Sequence, residues 1–226
     1  MVPSIISEEK SKEIPEATLQ VIHKLKYYVA ERARTARRFL KLCDLPFSIQ
    51  EIEMVEMDKR DLKVGQDQVL AWLKAGQDVG VISESGMPGI ADPGKEFALL
   101  AHQNNFQVIP MTGPSSIMLA LSASGMNGQN FCFQGYLPIK DHELKNKFKE
   151  LQKYISRGQT QIFIETPYRN SRMFDQILKN FDSNINLCLA IDITGENQSI
   201  KTAKIKDWKN SKPNFDKIPT VFLLSK

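Results

Sequence analysis

Apolar residues in the first half of the chain form short runs separated by longer stretches with an apolar residue at every third or fourth position. The runs are typical of buried strands and the stretches of amphipathic helices. The predicted strands are Tyr27–Ala30, Met54–Met57, Val79–Ile82 and Phe106–Pro110. The predicted helices are Pro15–Lys26, Thr35–Cys43, Val64–Ala75 and Gly94–Asn104. Strands that alternate with helices predict an α/β fold, with a parallel sheet covered on both faces.

A turn cluster at Met111–Pro114 interrupts this alternation in the middle of the chain. We therefore predict two domains, an N-terminal α/β domain at 1–112 and a C-terminal α/β domain at 113–226. The predicted helices of the second half are Ser115–Ser124, Asp141–Arg157 and Arg172–Asn180. Its predicted strands are Phe131–Tyr136, Gln161–Glu165, Leu187–Ile191, Ser199–Ala203 and Thr220–Leu224. The last three strands have little helix between them, which favours a mixed sheet.

Composition narrows the class of protein. The 226 residues are 42% hydrophobic and carry a net charge of +4, the balance of a globular chain that tolerates an anionic partner. Three widely spaced cysteines and three scattered histidines indicate neither a disulfide framework nor a metal cluster. The start is not typical of a signal peptide, and no apolar run reaches the roughly 18 residues of a membrane span. We expect a cytoplasmic protein without metal or membrane contact.

The segment Ser83–Gly94 carries the strongest sign of chemistry. It follows a predicted buried strand and precedes a helix, so it lies at the sheet edge where open α/β folds bind ligands. Gly86 and Gly89 allow main chain to approach a ligand closely, and Asp92 can cap the helix that Pro93 begins. The loop lacks the spacing of a Walker or dinucleotide loop. A plain strand–helix connection rich in turn residues explains it about equally well.

Three further segments contain groups suited to a site. Thr112–Ile117 opens a helix of small residues, where main-chain N–H groups can meet a carboxylate, although a capped helix is the simpler interpretation. Phe133–Pro138 ends a strand at a bend. Glu165–Arg169 places a carboxylate and a guanidinium together after another strand, a pair that is more often structural than catalytic.

In order and spacing these segments resemble the tetrapyrrole methylase superfamily of S-adenosylmethionine-dependent methyltransferases. The nearest branch is the small-subunit rRNA cytidine 2′-O-ribose methyltransferase I group. Ser83–Gly94 is similar to its SDAGTPxISDPG loop, with Glu84 for Asp and Met87 for Thr. The other matches are Gly113–Ser116 to its PGP helix start, Phe133–Pro138 to its FxGFLP strand and Glu165–Arg169 to its ESPHR corner.

The resemblance implies two α/β domains with the cofactor cleft between them, S-adenosylmethionine as cofactor, and a homodimer. For this branch it also implies rRNA or the small ribosomal subunit as partner. The implied cofactor-binding residues are Gly86, Met87, Ile90, Ser116, Ile117 and Ile164. Transfer to a ribose hydroxyl needs a base or hydrogen-bond acceptor. We rank Glu165 first because a strand end holds it, before Glu84 and Glu31; the alternative is an ion pair with Arg169.

The segments that would face substrate depart from this branch. Ser7 stands where its TPxGNL turn has glycine, and Ala30–Arg34 replaces its AEDTR segment. Met57–Arg60 replaces its His-x-Asn region, and Ile193–Gly195 lacks its lysine. The resemblance therefore supports a methyltransferase more directly than it supports an rRNA substrate.

Basic residues cluster on the second predicted helix. Arg34, Arg37, Arg38 and Lys41 share one helix face, and such a stripe can follow RNA phosphates. A solvated helix face is the alternative. Two other functions stay open: methylation of a small molecule such as a tetrapyrrole, and a cofactor-binding module without catalysis.

Overall fold

The computed structural model describes residues 1–7, 13–57, 62–211, 213–215 and 217–226. The chain divides into two compact units, Met1–Ser115 and Ser116–Lys226. The domain boundary predicted between 112 and 113 lies near this division, and the separation into two domains stays a prediction. Of the segment Met57–Arg60 singled out above, residues 58–60 lie outside the described residues.

The first unit contains a parallel sheet of order β2-β1-β3. Its elements are α1 (Glu16–Ile22), β1 (Tyr27–Ala30), α2 (Ala33–Leu42), β2 (Glu53–Glu56), α3 (Leu62–Lys74), β3 (Val79–Ile82) and α4 (Lys95–Gln103). Successive side chains of a strand point to opposite faces. Tyr28 and Ala30 of β1 therefore join the core under α1 and α2, whereas Val29 joins the core under α3 and α4. The predicted parallel sheet with helices on both faces is confirmed.

A glycine on the neighbouring strand makes room for a buried tyrosine. Tyr28 pairs in register with Gly80, where a Cβ would lie 2.5 Å from the Tyr28 ring. The Tyr28 hydroxyl donates to the Ile22 carbonyl at 3.3 Å. Burial raises the pKa of Tyr28 well above its usual value. This glycine is required by its neighbour across the sheet rather than by its own conformation.

The prediction of a strand at Phe106–Pro110 is wrong, because these residues adopt no regular structure. The Met1 amino group donates to the Ile109 carbonyl at 3.0 Å, and the Met111 N–H donates to the Met1 carbonyl at 3.0 Å. Pro3, which has no N–H to donate, cannot make the next bond of this pattern, which would go to the Met111 carbonyl.

The second unit contains a mixed sheet of order β4-β5-β8-β6-β7, in which β4 and β5 are parallel and the remaining pairs antiparallel. Its strands are β4 (Phe131–Tyr136), β5 (Thr160–Ile164), β6 (Asn186–Ile191), β7 (Ser199–Lys204) and β8 (Thr220–Ser225). Its helices are α5 (Ser116–Ser124), α6 (Asp141–Ser156), α7 (Asn170–Asn180) and the unpredicted α8 (Ile205–Trp208).

Helices cover both faces of this second sheet. Leu187, Leu189 and Phe222 pack with side chains of α6, α7 and α8 in one core. Cys188 and Ala190 pack with side chains of α5 in the other. Within the described parts of the chain, no helix is long and apolar enough to cross a membrane. The same residues contain no group of three or more His, Cys, Asp or Glu side chains that could hold a metal ion.

Candidate functional site

The loop Ser83–Gly94 connects β3 to α4 at the carboxyl end of the parallel sheet. Gly86 and Gly89 have φ angles of +74° and +82°, in the left-handed region that only glycine enters without strain. Gly86 and Gly89 are therefore needed for the backbone conformation of the loop itself.

Two hydrogen bonds to one carbonyl hold this loop in place. The Ser83 hydroxyl donates to the Gly86 carbonyl at 2.8 Å, and the Ser4 N–H donates to the same oxygen at 2.9 Å. Ser83 itself is buried. A loop fixed in this way presents its main chain to a ligand without a further ordering cost.

The second sequence motif lies against the first within the first unit. A Cβ added to Gly86 would lie 3.1 Å from the Pro114 carbonyl oxygen. A Cβ on Gly113 would overlap the Pro3 ring, and the buried Thr18 hydroxyl donates to the Thr112 carbonyl at 2.7 Å. Main chain from residues 112–115 therefore closes one side of the Ser83–Gly94 loop.

The side chains of this loop differ in exposure. Met87 is half-buried, whereas Ile90 is 42% exposed despite its apolar side chain. Exposed apolar groups beside a fixed main-chain turn are the kind of surface to which a ligand with apolar and polar parts can bind. The structure thus groups the predicted residues Gly86, Met87 and Ile90 on one loop.

The remaining predicted cofactor residues lie in the second unit. Ser116 and Ile117 are the first residues of α5, and the Ile117 side chain is 4% exposed in the core with Ala190 and Val221. Only the main chain of Ile117 is thus available to a ligand, through the N–H groups that a helix start leaves unbonded. Ile164 ends β5 and packs half-buried against the same core.

Glu165, the predicted base, forms an ion pair with Arg169 through its Oε1 atom. The same oxygen accepts a hydrogen bond from the Thr166 N–H at 2.6 Å. The Glu165 side chain is 2% exposed and that of Arg169 24%. An oxygen that already accepts from a guanidinium and an amide is poorly placed to accept a substrate proton as well.

The first unit also contains a cavity of about 290 Å³ that the sequence pattern did not reveal. Part of its lining is apolar, from the N-terminal segment and α2, and Glu84 and Arg38 add opposite charges. Ser4 also lines it, and the buried Ser4 hydroxyl has no hydrogen-bond partner among the described residues. The segments that form this cavity lie far apart in sequence, so no local pattern could indicate it.

The arginines of α2 do not all face solvent. The Arg37 guanidinium donates to the carbonyls of Ile49 and Ile52 at 3.0 and 3.3 Å. Arg34 and Arg38 are exposed, and Arg38 lines the cavity. Arg37 therefore has a structural role that its helical spacing did not predict.

The sequence of the chain matches a known protein family. The family model described as Tetrapyrrole (Corrin/Porphyrin) Methylases matches residues 12–208. The chain belongs to this family. Two solved structures support the family's fold: the methyltransferase CobJ, with a TM-score of 0.64, and uroporphyrin-III-C-methyltransferase from Thermus thermophilus, with 0.56. Each is 16% identical to this chain; the matches cover 97% and 95% of this chain and 90% and 86% of those chains.

Curated relatives of this chain are named Ribosomal RNA small subunit methyltransferase I. The Buchnera aphidicola protein (subsp. Schizaphis graminum) is 31% identical over 76% of this chain and 60% of its own length. The Bacillus subtilis protein is 32% identical over 69% of this chain and 52% of its own length. The chain thus spans between half and two thirds of the length of these relatives. The predicted family and α/β fold are confirmed.

Proposed function

We propose that this chain binds S-adenosylmethionine and methylates a ribose 2′-hydroxyl of small-subunit rRNA. The observation that carries the proposal is the contact between the loop Ser83–Gly94 and residues 112–115 at the carboxyl edge of a parallel sheet. Relatives that are 31–32% identical and named for rRNA methylation support the choice of substrate class.

The residues of the first-unit loop suit a cofactor with a charged amino-acid end and an apolar methylene chain. The Gly86 carbonyl already accepts two hydrogen bonds, so the N–H of Gly86 and the main chain of half-buried Met87 are the proposed polar contacts, and Ile90 offers an apolar surface. Bound S-adenosylmethionine would supply a methyl carbon on a sulfonium. The ribose oxygen would attack that carbon in line, the thioether would leave with the C–S electron pair, and the hydroxyl proton would pass to a base. Main-chain groups of Ser116 and Ile117, together with Ile164, are proposed contacts from the second unit.

Three carboxylates are candidates for the base: Glu165, Glu84 and Glu31. The first two differ in their surroundings. Glu165 is rigid but paired with Arg169, whereas Glu84 lines the cavity of the first unit. Single-turnover methyl transfer by Glu165→Gln and Glu84→Gln proteins distinguishes them. The variant that loses rate while keeping cofactor affinity identifies the residue that receives the proton.

Two measurements test the function. Titration calorimetry with S-adenosylmethionine should show about one site per chain. Small ribosomal subunits from cells that lack the matching modification, mixed with methyl-labelled cofactor, should acquire label in RNA ribose. No heat and no thermal shift at millimolar cofactor would reject cofactor binding. Binding without transfer to RNA or to a tetrapyrrole acceptor would indicate a cofactor-binding module.

Location and assembly belong to the same proposal. We propose a cytoplasmic homodimer with rRNA or the small ribosomal subunit as partner, as the family resemblance implies. Light scattering during gel filtration measures the mass of the particle, and a value of one chain, 25.7 kDa, would reject the dimer.

A further inference from the structure

Positive charge is concentrated near the end of the chain. Residues 199–226 contain seven lysines and two aspartates, a formal charge of +5, while the first 198 residues together carry −1. The chain's net charge of +4 therefore arises entirely from this last segment. Charge of one sign confined to one segment is typical of a surface that binds a partner of opposite charge.

The structure collects four of these lysines on one part of the second unit, which we call the β7–α8 surface. It consists of Lys201 and Lys204 on β7 and Lys206 and Lys209 at α8. All four are exposed. Among the residues that the structure describes, no carboxylate forms an ion pair with any of them, and Asp207 is the one acidic residue between 199 and 211.

The neighbouring helix α7 extends this surface. Lys179 and Lys209 line an open groove together with Asp175 and Leu178. Helix α6 shows a contrasting pattern, because its four lysines share the helix with Asp141, Glu143 and Glu150, and Lys147 pairs with Glu150 at 3.0 Å. Positive charge on α6 is thus largely balanced locally, whereas that of the β7–α8 surface is not.

The apolar residues of this region are not available to a partner. Ile205 is fully buried, Trp208 is 3% exposed, and Lys201 Nζ lies 5.1 Å from the centre of the Trp208 ring. A membrane-binding helix needs apolar side chains that insert between lipids, and α8 has none exposed. The lysines on the edge strand β7 also oppose the addition of a strand from another protein. With a membrane and an added strand both disfavoured, the partner that fits this surface is a polyanion bound through its charge alone.

We infer that the β7–α8 surface binds the phosphate backbone of RNA without reading its bases. The inference rests on the proposed function, because an RNA substrate supplies the polyanion. Lysine contacts phosphate as a point charge, and in the described part of this region no exposed aromatic ring accompanies these lysines for base stacking. Binding there is therefore independent of the base sequence of the RNA.

The test is a salt series with a fluorescein-labelled single-stranded 20-nucleotide RNA of mixed sequence. The variant Lys204→Gln/Lys206→Gln/Lys209→Gln leaves the Lys201–Trp208 contact intact. Its slope of log affinity against log salt should be shallower by about 2, since each lost contact removes roughly 0.7. At 0.1 M salt this corresponds to roughly 100-fold weaker binding.

The matched control changes three exposed lysines of α6, Lys145, Lys149 and Lys153, to Gln. Helix α6 packs on β5, whereas α8 packs on β7, three strands further along the sheet. We expect the control to keep a slope within about 0.7 of wild type. Equal losses in both variants would show that net charge alone binds RNA and would overturn the inference.

Three other outcomes overturn it as well. They are no RNA binding by the wild-type chain, an unchanged slope in the β7–α8 variant, and binding to phosphatidylserine vesicles that the same variant abolishes while RNA binding persists. Cofactor titration of each protein runs in parallel. A β7–α8 variant that binds S-adenosylmethionine normally but does not bind RNA supports the inference that this surface binds RNA. A wild-type chain that does not bind S-adenosylmethionine rejects the proposed function, which is a separate result.

Discussion

The loop Ser83–Gly94 and the corner Glu165–Arg169 are both candidate-site segments at strand ends, but different forces hold them. The loop depends on main chain: left-handed glycines, and two hydrogen bonds to the Gly86 carbonyl. The corner depends on side-chain charge, with Glu165 Oε1 bound by both Arg169 and the Thr166 N–H. A site made of main chain tolerates many side-chain substitutions but few changes of backbone conformation. A site made of charged side chains tolerates small changes of backbone conformation but few substitutions of those side chains.

This difference explains why the loop was the more informative sequence signal. Left-handed conformations restrict the residue type at particular positions, so glycines mark them directly. A carboxylate and an arginine four residues apart are equally typical of a structural pair. Four predictions test the comparison, and the first concerns the charged corner.

Replacing Arg169 by Met should produce the largest loss of stability. Among the described residues, this leaves the Glu165 carboxylate, 2% exposed, with the Thr166 N–H as its hydrogen-bond donor. An uncompensated buried charge costs about 3 kcal/mol. The matched control is Arg172→Met, whose pair with Asp141 is exposed, at 49% and 63%, and whose loss costs below about 1 kcal/mol. Urea denaturation measures both, and equal losses would show that the corner is not a buried ion pair.

Substituting Gly86 by Ala should have the second-largest effect. The left-handed φ costs about 1 kcal/mol, and the new Cβ lies 3.1 Å from the Pro114 carbonyl, for a total near 2 kcal/mol. We also expect cofactor affinity to fall at least about tenfold, because 1.4 kcal/mol of distortion in the loop is one decade of binding. Calorimetry measures the affinity.

Gly76→Ala is the control for this substitution. Gly76 has a φ of +77° in the same unit, and no atom lies within 4 Å of its added Cβ. It should lose about 1 kcal/mol and bind cofactor as wild type does. Gly86→Ala protein that is folded and binds normally would show that this loop does not hold the cofactor.

Most of the fold followed from periodicity, and the errors have physical causes. The strands β1 and β3 were predicted to the residue, because short apolar runs between turns are unambiguous in an α/β chain. Phe106–Pro110 was wrong because, among the described residues, this apolar segment pairs with no strand, and its contact with the N-terminal segment is one hydrogen bond from the Met1 amino group to the Ile109 carbonyl. The short helical turn at Ile49–Glu51 was missed although Ser48 and Glu51 form a capping box, a signal visible in the sequence.

The candidate site was predictable only where main-chain conformation restricts residue type. The glycines of the Ser83–Gly94 loop were found, whereas the cavity with the unpaired Ser4 hydroxyl was not, because it depends on contacts distant in sequence. Helical spacing placed Arg37 with Arg34 and Arg38 on one stripe. The carbonyls of Ile49 and Ile52, which accept hydrogen bonds from Arg37, belong to another segment, so the helical spacing of the arginines could not predict this contact.

The third prediction tests Arg37 separately from Arg34 and Arg38. Arg37→Gln should lose about 1 kcal/mol of stability, because two hydrogen bonds to carbonyls disappear, and should leave the salt dependence of RNA binding unchanged. Arg34→Gln/Arg38→Gln should change stability little while making the salt slope shallower by about 0.7 per lost contact. Anisotropy and urea denaturation measure the two properties. A slope change in Arg37→Gln alone would reverse these assignments.

The fourth prediction compares the two units through the reactivity of their cysteines, and it uses the chain without any substitution. Cys43 is buried in the core of the first unit and Cys188 in that of the second, while Cys132 on the edge strand β4 is half-buried. Burial, with a smaller effect of Asp44, raises the pKa of Cys43 from 9.0 to about 12, and burial also raises that of Cys188. At pH 8 the thiolate of Cys43 is therefore about a thousandfold rarer than in the unfolded chain.

Iodoacetamide at pH 8 should thus alkylate Cys132 first, and Cys43 and Cys188 only as their units open. Peptide mass spectrometry along a urea series then reports each unit separately, and different midpoints would show that they unfold independently. Because the unfolded thiol loses its proton near pH 9 and the folded Cys43 near 12, stability should also fall as pH rises through this interval. Alkylation of Cys43 as fast as that of Cys132 in native protein would contradict the packing of α2 against β1.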